Sequence, residues 1–306
     1  MPVLINKTIP AFNTLSDENI FVMTQDRGAT QDIRPIEVAI LNLMPTKQDT
    51  ETQLMRLLSN SPLQVNVTLV TTASYRGTHT DSAYLDREYV SLEDIRSRRF
   101  DGMIITGAPV ENLDFEDVKY WDELGEIFEF TQSNVTSTIN ICWGAQAALY
   151  YFYKIKKYNL DQKVFGVFPQ YYDRDKHEPL LKGMDDVFYM PHSRHSCIKK
   201  QDVDKCKDLV TLCWFEDGEP SLIKSIDGKQ IFITGHIEYD RFTLRDEYLR
   251  DVNKGLPIRR PLNYFLDSGV DKVNMNWASA ANLLYCNWLN YYVYQITPFD
   301  LENKDE

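Results

Sequence analysis

Two short stretches of this 306-residue chain carry the residue types of covalent catalysis. In Ile139-Asn140-Ile141-Cys142-Trp143-Gly144-Ala145-Gln146-Ala147, an apolar, β-branched run stops at a cysteine, and small residues follow that continue as a helix. That is the sequence form of a nucleophile elbow. A strand delivers the reactive atom to the top of a sheet, and the next helix points its N-terminus at it. Small residues at Gly144 and Ala145 suit a tight turn in which the helix packs close to the strand. The partial positive charge of a helix N-terminus and a nearby imidazole both favour the thiolate form of a cysteine, which is the nucleophile. A buried structural cysteine is the bland alternative.

The second stretch is Gln230-Ile231-Phe232-Ile233-Thr234-Gly235-His236-Ile237-Glu238-Tyr239, an apolar strand ending in Gly-His-x-Glu. With the backbone extended through His236, His236 and Glu238 project on the same side, because strand side chains alternate. An imidazole beside a carboxylate is what a general base needs, since the carboxylate fixes the tautomer and stabilises the imidazolium. A solvated strand end is the plain alternative here. Together the two stretches predict a triad of Cys142, His236 and Glu238.

The elements that must position these groups follow from hydrophobic patterning. Residues 36–44 form a near-continuous apolar run, as expected for a strand buried on both faces. Thr46 is a candidate cap for a helix over 48–58. Strands are predicted at 65–71 and 100–106, separated by a polar loop with Gly77, His79 and Asp81 and a short helix near 91–97. Gly107-Ala108-Pro109 breaks the second of these strands. An aromatic-rich helix over 115–131 and a strand over 136–141 lead into Cys142. Four strands alternating with helices indicate an α/β fold with a mostly parallel central sheet and helices on both faces.

Beyond the elbow helix at 143–156, short strand-like pieces at 164–168, 186–190, 209–215, 221–226 and 230–234 suggest antiparallel strands at one edge of the sheet. A helix is predicted over 243–250. A long one over 277–294 is rich in Trp, Tyr and Leu, and its aromatics suit core or a subunit interface. With no repeat or linker in view, the reading is an N-terminal arm over 1–34 and one domain over 35–306.

Composition bounds the partners. Hydrophobic residues at 43% and charged ones at 25% are ordinary for a soluble globular protein. No apolar run is long enough for a transmembrane helix, and the N-terminus lacks a secretory h-region, so a cytoplasmic protein is expected. The five cysteines include no CxxC pair and fit neither a disulfide framework nor a zinc ribbon. His192, His195 and Cys197 form an H-x-x-H-x-C cluster with no second ligand pair at a standard spacing, so no metal is assigned. The net charge of −12 argues against nucleic acid and anionic membranes as partners. Neither a GxGxxG nor a Walker A loop is present.

A cysteine elbow after the fourth parallel strand, with His-x-Glu far downstream, resembles the class I glutamine amidotransferase-like superfamily, whose sheet is flavodoxin-like. Longer matches resemble the homoserine O-acyltransferases of methionine biosynthesis. They are Gln31-Asp32-Ile33-Arg34-Pro35, Leu41-Asn42-Leu43-Met44-Pro45, Thr106-Gly107-Ala108-Pro109-Val110-Glu111, the elbow itself, Pro191-His192-Ser193-Arg194, His236-x-Glu238-Tyr239-Asp240-Arg241 and Arg245-Asp246-Glu247-Tyr248-Leu249-Arg250-Asp251. They span essentially the whole chain. One departure is visible: Ile237 stands where the family usually has proline.

The resemblance implies an acyl-CoA thioester attacked by Cys142, followed by transfer of the acyl group to homoserine with His236 as general base. It implies an oxyanion hole from the backbone N–H groups of Trp143 and Ala108, and homoserine contacts at Lys163, Ser193 and Arg250. The alternative for Lys163 and Arg250 is a solvated surface charge. Glu111 points to acetyl-CoA as co-substrate, because family members that use succinyl-CoA carry glycine there. No tightly bound cofactor is implied, and a homodimer is. Homoserine O-succinyltransferase is the runner-up. A glutaminase domain is the main rival within the same fold, and a non-enzymatic stress sensor or chaperone with a reactive cysteine is the rival from another class.

Overall fold

The computed structural model describes residues 3–18, 20–28, 34–74 and 80–297. Its strands are β1 (Val3–Leu4), β2 (Ile36–Leu41), β3 (Val65–Val70), β4 (Tyr89–Val90), β5 (Phe100–Ile105), β6 (Val135–Ile141), β7 (Tyr158–Tyr172), β8 (Val187–Cys197), β9 (Leu209–Trp214), β10 (Pro220–Ser225) and β11 (Gln230–Ile233). Among the described residues they form one sheet in the order β1-β3-β2-β5-β6-β11-β10-β9-β7-β8, with β4 on β3. The side from β1 to β11 is parallel, and β7, β8, β9 and β10 pair antiparallel.

Alternation along the central strands feeds two cores. On β2, Ile36, Val38 and Ile40 face one hydrophobic cluster with the helix Lys47–Ser59, while Ala39 and Leu41 face another with the helices Trp121–Asn134 and Trp143–Tyr153. A sheet covered on both faces explains why these strands read as continuous apolar runs.

Among the departures from the patterning, four stand out. The strand at 230–233 is not part of the antiparallel edge: β11 pairs parallel with β6, matching Ile233 with Ile141. A four-residue apolar run carries no mark of its direction. The helix expected over 115–131 is a 3-10 turn at Phe115–Asp117 and a helix at Trp121–Asn134. The break lets Phe115 stack between Trp121 and Tyr150, with ring centroids at 5.4 and 4.8 Å. The helix expected over 277–294 is α-helical at Ala278–Asn287 and then widens into a π-helix at Trp288–Tyr294. The wider turn packs Trp288 on β5 beside Gly102, where a Cβ would stand 2.8 Å from its ring, and the indole donates to Ser137 Oγ at 3.1 Å. Trp277, Tyr285, Trp288 and Tyr292 are therefore core, while Tyr294 is exposed.

The fourth departure precedes β4. Gly77 and His79 lie outside the described residues, as do Gln31, Asp32 and Ile33, but Asp81 caps a helix at Ser82–Glu88 that the polar composition concealed. Thr46 does hold the N-cap position of the helix Lys47–Ser59, without a side-chain cap bond. Within 1–34, β1 pairs with β3 and the helix Pro10–Asp17 packs on Lys47–Ser59.

Candidate active site

Three neighbouring parallel strands end together. β5 runs into Thr106-Gly107, β6 into Cys142 and β11 into Gly235-His236, and the pairings of Ile105 with Asn140 and Ile233 with Ile141 keep those ends level. The crevice outside the carboxyl ends of such strands is where α/β folds bind ligands.

Cys142 makes the elbow. Its backbone has φ 50° and ψ −115°, a conformation that non-glycine residues rarely adopt. Its N–H donates to the Ile233 carbonyl at 2.7 Å, and its carbonyl accepts the first helical bond from Gln146 at 3.1 Å. Helix Trp143–Tyr153 therefore starts at the thiol, and the N–H groups of its first turn have no intrahelical partner. The predicted demand for small residues is met at Gly144, where a Cβ would press on the backbone of β5.

His236 and Glu238 come together, though not by strand alternation. β11 ends at Ile233, and residues 236–239 form a turn closed by the Tyr239 N–H donating to the His236 carbonyl at 3.2 Å. Ile237 sits at the first central position of that turn, where proline is favoured, and is buried. Within the turn His236 Nδ1 lies 2.6 Å from Glu238 Oε1. Burial alone would lower the imidazole pKa, but Cys142 and Glu238 outweigh it, and His236 is held well above the usual histidine range. Cys142 hydrogen-bonds the same ring. Gly107 closes the corner: a Cβ there would lie 3.3 Å from Cys142 Cβ and 3.4 Å from His236 Cε1. Ala108 and Trp143, both buried, flank this corner from β5 and from the elbow helix.

The long hairpin of β7 and β8 folds back over this end of the sheet. The Pro191 carbonyl accepts the His236 N–H at 2.8 Å. The hairpin brings Lys163 and Ser193 to the helix Thr243–Asn253, where both meet Glu247: Lys163 Nζ at 2.5 Å and Ser193 Oγ at 2.7 Å from the same oxygen, Oε1. Arg250, one turn further along that helix, has Nη2 3.7 Å from Glu247 Oε1 and donates from Nε to Asp251 at 2.7 Å. The three expected substrate contacts thus share one carboxylate. Its side chain and that of Lys163 are each 14% exposed, while the Arg250 side chain is 55% exposed. Glu247 had no role in the sequence reading. Its spacing of three from Arg250 was the available signal.

Tyr239 links the two groups. Its ring lies against that of His236, and the charges of Glu247, Glu238, Cys142 and Glu111 all bear on its phenol. Glu111, half-buried in the turn after β5, accepts a hydrogen bond from Lys157 Nζ at its carbonyl. Strand alternation sends His192 to the opposite face of β8 from His195 and Cys197, which breaks the H-x-x-H-x-C cluster. His192 is enclosed by Phe168, Phe215 and the Gly235 backbone.

With the geometry in view, comparison with known proteins decides the family. The family model described as homoserine O-succinyltransferase matches residues 2–299. The chain belongs to this family. It is 51% identical over 302 residues to the homoserine O-acetyltransferase of Lachnoclostridium phytofermentans, covering 98% of this chain and 100% of that one. It is 54% identical over 303 residues to that of Geobacillus kaustophilus, covering 99% and 100%. Among solved structures, a glutamine amido transferase from Methylobacillus flagellatus matches with a TM-score of 0.55 at 13% identity, over 84% of this chain and 95% of that one. The protein SMU.1228c also scores 0.55, at 15% identity over 82% and 97%. Those likenesses bear out the glutamine amidotransferase-like fold. The protein is an acyltransferase of the homoserine family.

Proposed function

We propose that the protein is a homoserine O-acetyltransferase, moving an acetyl group from acetyl-CoA to L-homoserine through an acyl-cysteine at Cys142. One observation carries the reading. An elbow cysteine facing a carboxylate-bound imidazole shares one end of the sheet with Lys163, Ser193, Glu247 and Arg250, which have the charges to recognise an amino acid.

In the first half-reaction Cys142 Sγ attacks the thioester carbonyl. A new S–C bond forms, the bond to the CoA sulfur breaks, and the proton taken from Cys142 by His236 leaves with CoA. The N–H groups of Trp143 and Ala108 face the developing oxyanion. Exchanging one thioester for another is nearly isoenergetic, which suits cysteine better than serine. In the second half, His236 removes the homoserine hydroxyl proton, the O–C bond forms as the S–C bond breaks, and the proton returns to Cys142. Glu238 holds the tautomer and the charge of His236 throughout.

Arg250 is suited to the amino-acid carboxylate, which a guanidinium grips in two places. Glu247 takes the ammonium group, exchanging part of its bonding to Lys163 and Ser193 for the ligand. Glu111 sets the donor as acetyl-CoA, in agreement with the names of the curated relatives. No tightly bound cofactor enters these steps. No helix among the described residues is long and apolar enough to cross a membrane, and our reading of a cytoplasmic enzyme rests on the likeness to homoserine acyltransferases. The homodimer rests on the family resemblance, since most aromatics of the C-terminal helix are buried in the core.

Intact mass spectrometry tests the reading. Mixed with acetyl-CoA in the absence of homoserine, the protein gains one acetyl group on Cys142, and homoserine removes it. Complete turnover in rapid-quench samples that never show an adduct overturns the covalent route. Ammonia released from glutamine alone would indicate a glutaminase.

A further inference from the structure

The imidazole of His236 is restrained in its own plane by Glu238 at Nδ1. A second restraint acts from above. The rings of His236 and Tyr239 stack with centroids 4.1 Å apart and planes within 15°. The turn creates this pairing, since its closing bond between residues 236 and 239 brings the two side chains to one side. Tyr239 is itself immobilised: its carbonyl accepts the Trp277 indole at 2.9 Å, and its ring packs with Phe165, Val167, Leu244 and Trp277.

We propose that Tyr239 is a positioning residue for His236, its π-face fixing the tilt of the imidazole and stabilising the imidazolium that forms when Cys142 gives up its proton. The inference rests on the acyl-cysteine reading above and deepens it. An aromatic face is the negative pole of the ring quadrupole, so it attracts a cation placed over it, most strongly where water is excluded. Both side chains are buried. The ring therefore favours the protonated partner of the cysteine without supplying a formal charge, and it prevents water from solvating that face. The groups that face His236 are Cys142 from the elbow, Glu238 from its own turn and His192 from β8, the last kept neutral by its own burial beside Arg194. None of the three takes the place of the π-face.

The test compares Tyr239→Phe, which keeps the ring, with Tyr239→Leu, which keeps apolar volume and loses it. The deprotonation of His236 is followed by NMR in 15N-histidine-labelled protein, assigned with His236→Asn, beside the rate of Cys142 acetylation. Tyr239→Phe should retain the wild-type titration. Tyr239→Leu should lose the imidazolium proton at lower pH by about one unit and acetylate about tenfold more slowly, the size of a desolvated cation–π contact. A folded Tyr239→Leu with the wild-type titration, or a Tyr239→Phe as impaired as Tyr239→Leu, overturns the proposal. Ring fluorination of the residue in Tyr239→Phe weakens the π-face without changing its shape, so the titration should fall with each added fluorine. A flat series rejects the assignment even where Tyr239→Leu does not fold. The NMR titration does not depend on the acyl donor, so it stands apart from failure of the acetyltransferase reading.

Discussion

A Cβ built on Gly144 would stand 2.6 Å from the carbonyl oxygen of Thr106. The contact is with backbone, which has no rotamer to yield, and the Ile105 carbonyl follows at 3.1 Å. The elbow helix starts against β5, and its distance from that strand sets the distance between Cys142 and the Gly107 turn. Gly144→Ala is therefore expected to lower stability by roughly 1–3 kcal/mol, the usual cost of overpacking, and to slow acylation of Cys142 at least about tenfold, as a misplaced nucleophile does. Chemical denaturation and rapid-quench acylation check both. Unchanged values in the two assays would mean that the elbow tolerates a wider spacing than this geometry allows.

His236 and Glu238 are expected to act as one unit. His236→Ala removes the proposed base and should cost several orders of magnitude in rate, and Glu238→Ala should cost less, since in the proposed triad that carboxylate orients and stabilises. The double variant should be little slower than His236→Ala. Strictly additive losses would show two independent contributions. Glu238→Ala should also let His236 deprotonate at lower pH, because Glu238 is one of the groups that hold its proton.

The pairing of these two residues was legible in the sequence for an incomplete reason. His-x-Glu at a strand end does bring them together, but through a turn, and the same turn delivers Tyr239, which strand alternation does not foretell. The elbow and the parallel core were legible because each leaves a local signature, a β-branched run halted by a cysteine or a strand apolar on both faces. The convergence of Lys163 and Ser193 on Glu247 left none, since it joins residues more than fifty positions apart through a hairpin folded over the sheet. The break after Phe115 and the π-helix at Trp288 are likewise set by partners distant in the chain, which overrode local helical preference.

Arg250→Ala and Glu247→Gln should separate the half-reactions. On the proposed route the amino acid enters only in the second, so both variants should leave acetylation of Cys142 nearly unchanged and raise the homoserine KM about tenfold or more, as loss of a charged hydrogen bond does. Single-turnover kinetics with and without homoserine make the comparison. Equal damage to both halves would assign these residues to the fold or to the CoA site.

Lys47 offers a pH test of stability away from the chemistry. It is buried at the start of the helix Lys47–Ser59, donates to the Asn42 carbonyl and lies over the Tyr89 ring. Burial lowers its pKa from 10.5 to about 8, against the opposing pull of Glu51. Between those values the unfolded chain binds a proton that the folded one does not, so stability rises with pH. The gain should approach roughly 2–3 kcal/mol by about pH 10. Above that, ionisation of Tyr84 and Tyr89, whose phenols are both shifted up by burial and by Glu51, reverses it. Lys47→Met should flatten the rise in denaturation midpoints from about pH 8 to 10. An equally steep rise in the variant would assign it to other groups.

Glu111→Gly should raise the use of succinyl-CoA and reduce the preference for acetyl-CoA. A succinyl chain ends in a carboxylate. Two like charges about 5 Å apart at an effective dielectric near 20 repel by roughly 3 kcal/mol, which is about a hundredfold in rate. Glu111 stands half-buried in the turn that follows Gly107 and Ala108, so part of that repulsion survives solvent screening. Lys157 works against it. Its ammonium group bonds the Glu111 carbonyl, and the charge of Glu111 bears on it, so it offsets some of the negative field an incoming carboxylate would meet. Lys157→Met should accordingly sharpen the preference for acetyl-CoA, opposite in sign to Glu111→Gly. Competition assays with both donors, read as the ratio of their kcat/KM values, decide. A wild-type preference for succinyl-CoA would sink the assignment of the donor. An unchanged ratio in both variants would release this turn from any part in choosing it.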